Sequence, residues 1–171
     1  TIQRHAKAET VNGRGYRAYN LHKDNRQTCR LITVLVREAW SGRFVSRCVS
    51  HNLVVLAGRN LIRDRLQGGA VAALTHFAVG TSNAAVTSGD NALYAEVFRD
   101  TITQFVNGSG ILTVKYYLAT GNANGQTLAE AGLLNASSGG SLFSRVVLAS
   151  TIAKTASITV TFQWDFTITA S

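Results

Sequence analysis

The chain has 171 residues, of which 46% are apolar, and its formal net charge is +8. This length suits one domain with a sizeable core, and no apolar run approaches the roughly 18–20 residues that a membrane span needs. The sequence contains no proline, so its turns must rely on Gly, Asn and Ser. Because the first residues lack the apolar segment of a signal peptide, we expect synthesis in a cytosol without an export signal of its own.

The positive charge is concentrated in the first part of the chain. Residues 1–66 hold 13 Lys/Arg against 4 Asp/Glu, whereas residues 67–171 hold 4 Lys/Arg against 5 Asp/Glu. A basic segment is suited to contact with a polyanion or with an acidic protein surface. We therefore expect the basic part to provide adhesion and the nearly neutral part to provide a scaffold.

Residues 1–28 predict an extended basic arm, because they show no sustained helical or strand period and too few apolar residues to fold alone. The segment is either a solvated tail or an arm that lies along a neighbouring subunit, where its arginines pair with carboxylates. We favour the second alternative. In this alternative the cations that bind the partner are Arg4, Lys7, Arg14, Arg17, Lys23 and Arg26. The arm and a connecting strand form the unit 1–50, and residues 51–171 form the body.

Residues 31–36 are a short apolar run typical of a buried strand, and the next residues, to Val45, are ambiguous between strand and helix. Residues 52–67 predict an amphipathic helix that Ser50 or Asn52 can cap and that Gly-Gly can end. Beyond the helix the predicted strands are 73–79, 93–106, 111–119, 127–134, 142–149 and 157–169.

The longest alternation lies in the last of these strands. Every even position from 158 to 168 is apolar and every odd position from 157 to 169 is polar, which is the period of a half-buried strand. Phe162, Trp164 and Phe166 are therefore predicted core residues. Strands joined by short turns indicate a mainly β protein with an antiparallel β-sandwich or jelly-roll-like body and one helix on its N-terminal side.

Four charged residues stand inside apolar strand segments. They are Glu96, Arg99, Glu130 and Arg145. An unpaired buried charge is very costly, so these residues either point to solvent or pair with one another across neighbouring strands. We expect a structural ion-pair lattice, in which arginine binds a carboxylate through two hydrogen bonds.

No sequence motif indicates an active site. The glycine-containing turns 80–83 and 137–140 lack P-loop spacing, and there is no Gly-x-Ser-x-Gly nucleophile elbow. Cys29 and Cys48 have no histidines at zinc-ligand spacing, and they are either reduced thiols or partners in a disulfide. The arginines follow no nucleic-acid-binding motif. We expect no enzymatic activity, no cofactor or metal, and neither a nucleic acid nor a membrane as partner.

From Asn52 onward the chain carries the segments HFAVGTSNAAVTSGDNALYAEVFRDTIT, LAEAGLLNASSGG, LFSRVVLASTIAKT and ITVTFQWDFTIT. Their order resembles that of a group of tailed-bacteriophage structural proteins found among tail-fibre, baseplate, neck and decoration components. The positions that carry the resemblance are Glu96, Arg99, Glu130, Gly132, Leu133, Arg145, Lys154 and Trp164. It covers roughly residues 50–170 and implies a scaffold rather than an activity.

The two halves of the chain and this resemblance together predict a non-enzymatic structural component of a phage virion, assembled in the host cytoplasm. Its place would be the tail, the neck or a baseplate or fibre attachment. Its partners would be other virion proteins and, in a homo-oligomer, copies of itself. The alternatives are a capsid decoration (cement) protein and a receptor- or glycan-binding module, although the loops 80–92 and 120–126 contain no aromatic residue for stacking on a sugar.

Overall fold

A computed structural model describes residues 31–167 of the protein. This part of the chain is mainly β and consists of nine antiparallel strands and one short helix. The predicted basic arm with all of its partner-binding cations lies outside the described residues, as does Cys29.

The strands form one sheet in the order β4-β3-β7-β8-β2-β1-β9-β6-β5, which curls into a half-barrel. The helix α1 comprises Leu56–Leu66 and follows β2. The strands are β1 (Leu31–Glu38), β2 (Phe44–Val54), β3 (His76–Gly80), β4 (Glu96–Thr101), β5 (Gln104–Gly108), β6 (Ile111–Leu118), β7 (Thr127–Leu134), β8 (Leu142–Ala153) and β9 (Ile158–Thr167).

Strand β2 joins two parts of the sheet, because different stretches of this strand pair with different neighbours. Residues 44–51 of this strand pair with β1, whereas residues 52–54 pair with β8. On one side of β2 lie β1, β9, β6 and β5, which we call the β9 half. On the other side lie β8, β7, β3 and β4, which we call the β7 half.

The main core lies between these two halves. Phe77 of β3 stacks on Tyr116 of β6 with ring centroids 4.1 Å apart, and its ring lies 4.8 Å from that of Phe162 on β9. Phe162 and Trp164 are fully buried and Phe166 is 9% exposed. Each buried side chain of this size stabilises the fold by about 1.5–3 kcal/mol, so the alternating strand β9 is a major source of stability.

The predicted helix over 52–67 begins later than expected, at Leu56, because residues 52–54 continue β2 and pair with β8. The N-cap residue is Val55, which makes no side-chain cap hydrogen bond. Ser50 is not a cap, since its hydroxyl accepts a backbone N–H of β8 at 2.8 Å. Long-range strand pairing thus overrides the local helical pattern at this end.

Two predicted boundaries also change. The predicted division between residues 50 and 51 falls inside β2, and the connecting strand expected over 31–36 is β1, which pairs with both β2 and β9. The predicted strand 93–106 is divided into two, because β4 pairs with β3 in the β7 half, whereas β5 pairs with β6 in the β9 half.

Residues 81–95, which we call the strap, cross the outer side of the β7 half. A second cluster of buried apolar residues lies there and includes Leu93 of the strap, Ala78 of β3 and Leu134 of β7. The β7 half is therefore covered on both of its sides, and this second cover brings the strap to the charged residues of β7 and β8.

Candidate functional site

The centre of the covered outer side is a buried cluster around Arg145. Its Nε donates to Glu130 Oε2 at 2.7 Å, and its Nη1 donates to Asp90 Oδ2 at 3.0 Å. Arg145 lies on β8, Glu130 on the neighbouring strand β7, and Asp90 in the strap, and all three side chains are buried. One buried cation is thus held between two carboxylates, one of which belongs to a loop.

Other contacts of the cluster also hold the strap. Arg145 Nη2 donates to the Ala84 carbonyl at 3.0 Å, and its guanidinium lies 4.0 Å from the ring centroid of Tyr94. The Tyr94 hydroxyl donates to Asp90 at 2.7 Å, and the Ala95 N–H donates to Glu130 at 2.8 Å. Since charge-assisted hydrogen bonds are the strong ones, this arrangement fastens residues 84–95 to the sheet.

The titration of the cluster follows from these bonds. Burial opposes ionisation of Asp90, but hydrogen bonds donated by Thr87 and Tyr94, together with the one from Arg145, outweigh it and hold the pKa of Asp90 below its ordinary value. The hydrogen bond to Asp90, with burial, raises the pKa of Tyr94. Both shifts move the pKa values further from neutral pH, whereas a general acid or base needs a pKa near the working pH.

Gly80 makes room for this cluster at the end of β3. A Cβ at this position would collide with Glu130 Oε1 and with the Ala95 carbonyl oxygen, which would lie 2.5 Å away. A side chain here would therefore displace either the buried carboxylate or the strap. The glycine that ends the strand in the sequence is a packing requirement of the Arg145 cluster.

Glu96 and Arg99 form a separate pair within β4. Arg99 Nε and Nη2 donate to the two oxygens of Glu96 at 2.8 and 2.7 Å. Arg99 Nη1 donates to the carbonyls of Ala136 and Gly139 at 3.0 and 2.9 Å, and so holds the turn between β7 and β8. A carboxylate thus orients the arginine, and the arginine in turn fixes a loop.

The sequence predicted one lattice of four residues, and the structure instead places them in two pairs. Only the pair Glu130–Arg145 crosses between strands, and among the described residues no ion pair connects it to Glu96–Arg99. The sequence interpretation missed Asp90 because this residue stands in a loop rich in Thr, Ser and Gly, which resembles an ordinary turn. The spacing of Thr87 and Asp90, which bond through side chain and backbone, is the one local signal.

Lys154 is a second buried cation with different surroundings. Its Nζ donates to Asn124 Oδ1 at 3.0 Å and to the Thr155 carbonyl at 2.9 Å, and no carboxylate of the described residues forms an ion pair with it. Burial lowers the pKa of Lys154. Its backbone also pairs with Gln126 and Gly125 at 2.9 Å, so this lysine fixes the loop between β6 and β7.

Within residues 31–167, no three side chains of His, Cys, Asp or Glu are grouped so that they would hold a metal ion. The helix α1 is too short and too polar to cross a membrane, and the described chain offers no other helix that would. Cys48 is a free thiol on β2.

The turn between β1 and β2 presents an exposed tryptophan. Trp40 is 94% exposed, whereas Trp164 is fully buried. The turn is held by backbone bonds from Gly42 N to Glu38 O at 3.0 Å and from Glu38 N to Arg43 O at 2.9 Å, with Gly42 at a φ of +65°. An ion pair between the Arg43 and Glu38 side chains closes it further. The tryptophan therefore projects from a rigid support.

The surroundings of Trp40 are apolar and basic. Phe44 and Val45 are about half exposed beside it, and Arg37 and Arg47 are exposed on the same two strands. The hydrogen bond from Arg43, with one from Ser41, lowers the pKa of Glu38 to about 2, so Glu38 is ionised. Three arginines against this one carboxylate still leave an excess of positive charge. We call residues 37–47 the Trp40 hairpin. The sequence interpretation left this region ambiguous, although Trp-Ser-Gly between arginines is typical of an exposed turn.

This hairpin can act as a docking element. Tryptophan and arginine are the residues most enriched at the energetic centres of protein interfaces, and a turn fixed in advance lowers the ordering cost of binding. A partner that fits it has an apolar pocket surrounded by carboxylates.

Two groups of charged residues therefore stand out within residues 31–167: those that hold loops onto the sheet, and those that surround the exposed Trp40. Comparison of the chain with protein-family models, with curated proteins and with solved structures finds no match.

Proposed function

We propose that the protein is a non-enzymatic structural component of a bacteriophage virion, located in the tail, the neck or a baseplate or fibre attachment. The observation that carries the proposal is the use of the charged residues in the phage-like pattern. Arg99, Arg145 and Lys154 each hold a loop onto the sheet, and Glu96 and Glu130 orient two of these cations. Residues used in this way build a scaffold, and none of the charged residues of the pattern is then left to take part in catalysis.

The fold class that goes with this role is an antiparallel β-sandwich of jelly-roll type. It is supported by ring contacts between the β7 half and the β9 half, such as Phe143 of β8 with Phe166 of β9, whose centroids lie 5.3 Å apart. Two facing halves of one antiparallel sheet with side chains interdigitated between them correspond to the packing of a sandwich.

The contact with a neighbouring virion protein would be made by the Trp40 hairpin together with the basic arm, residues 1–28. Both carry an excess of positive charge, which favours an acidic surface such as a capsid exterior or another tail protein. Attachment should weaken as salt is added, because exposed charges are screened within about 8–10 Å at physiological ionic strength.

The location is tested on particles made by cells that carry the gene. The particles are purified on a density gradient, and the protein is quantified in them by mass spectrometry and located by immunogold electron microscopy. We expect a fixed copy number per particle and label at the tail or neck. Absence from purified particles, or a copy number that varies between gradients, would contradict the virion role.

The contact surface is tested by substitution in the full-length chain. Trp40→Ala should lower incorporation into particles by more than tenfold, since a central interface residue contributes about 2 kcal/mol or more. The control is Tyr117→Ala, which removes another aromatic residue that is about half exposed, on the outer side of β6. Equal incorporation of both variants would remove the hairpin from the contact and leave the virion location standing.

A further inference from the structure

The last strand of the β9 half, β5, ends the sheet, and no other strand within residues 31–167 pairs with its outer edge. All five of its residues are exposed, with Phe105 at 45% and Val106 at 41%. An edge strand presents a row of backbone N–H and C=O groups that another strand can bind. Sheet edges of monomeric proteins usually carry features that protect them from such pairing.

The opposite edge shows what protection means in this fold. Strand β4 carries Glu96, Arg99 and Asp100, and charged side chains on an edge discourage pairing. Strand β5 has the sequence Gln-Phe-Val-Asn-Gly, without a charge, and pairs with β6 in continuous register without a bulge. Of the two edges, β5 therefore lacks the charged side chains and the irregular register that β4 has.

We infer that β5 pairs antiparallel with β5 of a second copy of this chain across a two-fold axis, so that two sheets join into one. This inference names the self-contact of the assembly role proposed above and rests on it. Its test, however, needs only the purified chain, so its failure leaves the virion location untouched.

A second copy is the occupant that the charges favour. Strand β5 is uncharged and belongs to residues 67–171, which hold 4 Lys/Arg against 5 Asp/Glu, so two copies can meet along it with little repulsion between like charges. The strand also offers no charge that would attract an acidic or basic peptide instead. Antiparallel pairing across a two-fold axis uses the same patch on both copies, so one strand supplies the whole interface.

The side chains of β5 are also complementary to themselves. With the axis at Val106, this valine faces its own copy, and β-branched residues directly opposite one another stabilise a strand pair. Phe105 faces Asn107 of the second copy on the side of the sheet where Val114 lies. The two Phe105 rings are then diagonal neighbours, which aromatic side chains can bridge.

The test is the self-association of the full-length chain, measured by sedimentation equilibrium. We expect a reversible dimer, and we expect Val106→Lys to raise its dissociation constant by at least tenfold, because it places two cations directly opposite each other. The matched control is Val49→Lys on β2, a strand in the middle of the sheet, where the valine is 40% exposed against 41% for Val106. This control should dimerise like the unmodified chain, and circular dichroism would show that both variants are folded.

A cross-link gives an independent measurement. In a chain with Cys29→Ser and Cys48→Ser, Val106→Cys should form an intermolecular disulfide on mild oxidation, whereas Val49→Cys should not. A monomer at all concentrations, a cyclic trimer, or equal weakening by the two lysine variants would overturn the inference. So would a dimer that Val106→Lys leaves unchanged.

Discussion

Arg145 and Lys154 are both buried cations that hold a loop onto the sheet, yet the protein surrounds them differently. Arg145 lies between two carboxylates and over an aromatic ring, whereas Lys154 donates to an amide oxygen and to carbonyls. A guanidinium has five donors in a plane and stays charged, while a lysine can lose its proton when buried. The first site therefore depends on opposite charge and the second on hydrogen bonding alone.

The largest effect that follows from this difference is expected for Arg145→Met. It leaves Asp90 and Glu130 buried without their cation, and removal of one partner from a buried ion pair costs about 3–5 kcal/mol. The measurement is the free energy of unfolding in urea. Arg145→Met combined with Glu130→Gln should cost less than the sum of the single changes. Additive costs in this double-mutant cycle would mean that the two residues do not interact.

The space for the cluster is tested by Gly80→Ala. The new methyl group would overlap Glu130 Oε1 and the strap, and overpacking of this kind typically costs about 1–3 kcal/mol. Gly121→Ala is the matched control, because a Cβ there meets no atom within 4 Å. Thermal unfolding of the two variants should separate them clearly. Equal melting temperatures would show that the strap can move aside without loss.

Local periodicity explains which parts of this architecture can be predicted from the sequence. Strand β9 is evident because its alternation is written in consecutive residues, and the turn cues delimit most of the other strands. The start of α1 is not evident, since the partner that makes residues 52–54 a strand is β8, far along the chain. The strap is likewise hidden, because no local pattern shows that a loop crosses a sheet to reach Arg145.

The candidate site divides in the same way. Charges within apolar strands indicate that Glu130 and Arg145 need partners, because burial makes an unpaired charge costly. The identity of one partner, Asp90, depends on the path of the strap. The exposure of Trp40 was also hidden, since an aromatic residue beside an apolar strand is more often part of a core. Pairing needs can be inferred from composition, but the path of a loop requires the fold.

A smaller effect is expected for Lys154→Met. This change removes the donor for the Asn124 and Thr155 oxygens, and a buried acceptor left without a partner costs about 1–3 kcal/mol. The loss is partly offset because no carboxylate is left without its counter-charge and because an apolar side chain is less costly to bury. Unfolding in urea should rank this variant well above Arg145→Met in stability. A loss as large as that of Arg145→Met would indicate that a charge pairs with Lys154.

The smallest effect is expected in how the free energy of unfolding depends on pH, since pH changes only the protonation of one residue in each site. Asp90 has a folded pKa below its unfolded value, so its contribution is complete above the unfolded pKa of about 3.9 and is lost as the pH falls through the folded pKa. For Lys154 the folded pKa is also lowered, from 10.5, but this group carries its charge below the pKa. Its burial cost is therefore present in full below the folded pKa and decreases as the pH rises through the folded pKa towards 10.5.

The buried lysine should thus become less unfavourable in alkali. Tyr94 and Tyr116 act in the opposite direction, because their pKa values in the folded protein are raised. Their contribution to the stability of the fold is lost as the pH rises above the pKa values that these tyrosines have in the unfolded chain. The difference in unfolding free energy between the unmodified chain and Lys154→Met removes this tyrosine contribution, since both proteins contain it. We expect that difference to shift in favour of the unmodified chain as the pH is raised from 7 into the alkaline range. A constant difference would mean that Lys154 remains protonated throughout, as it would beside a carboxylate, and the contrast with Arg145 would then be lost.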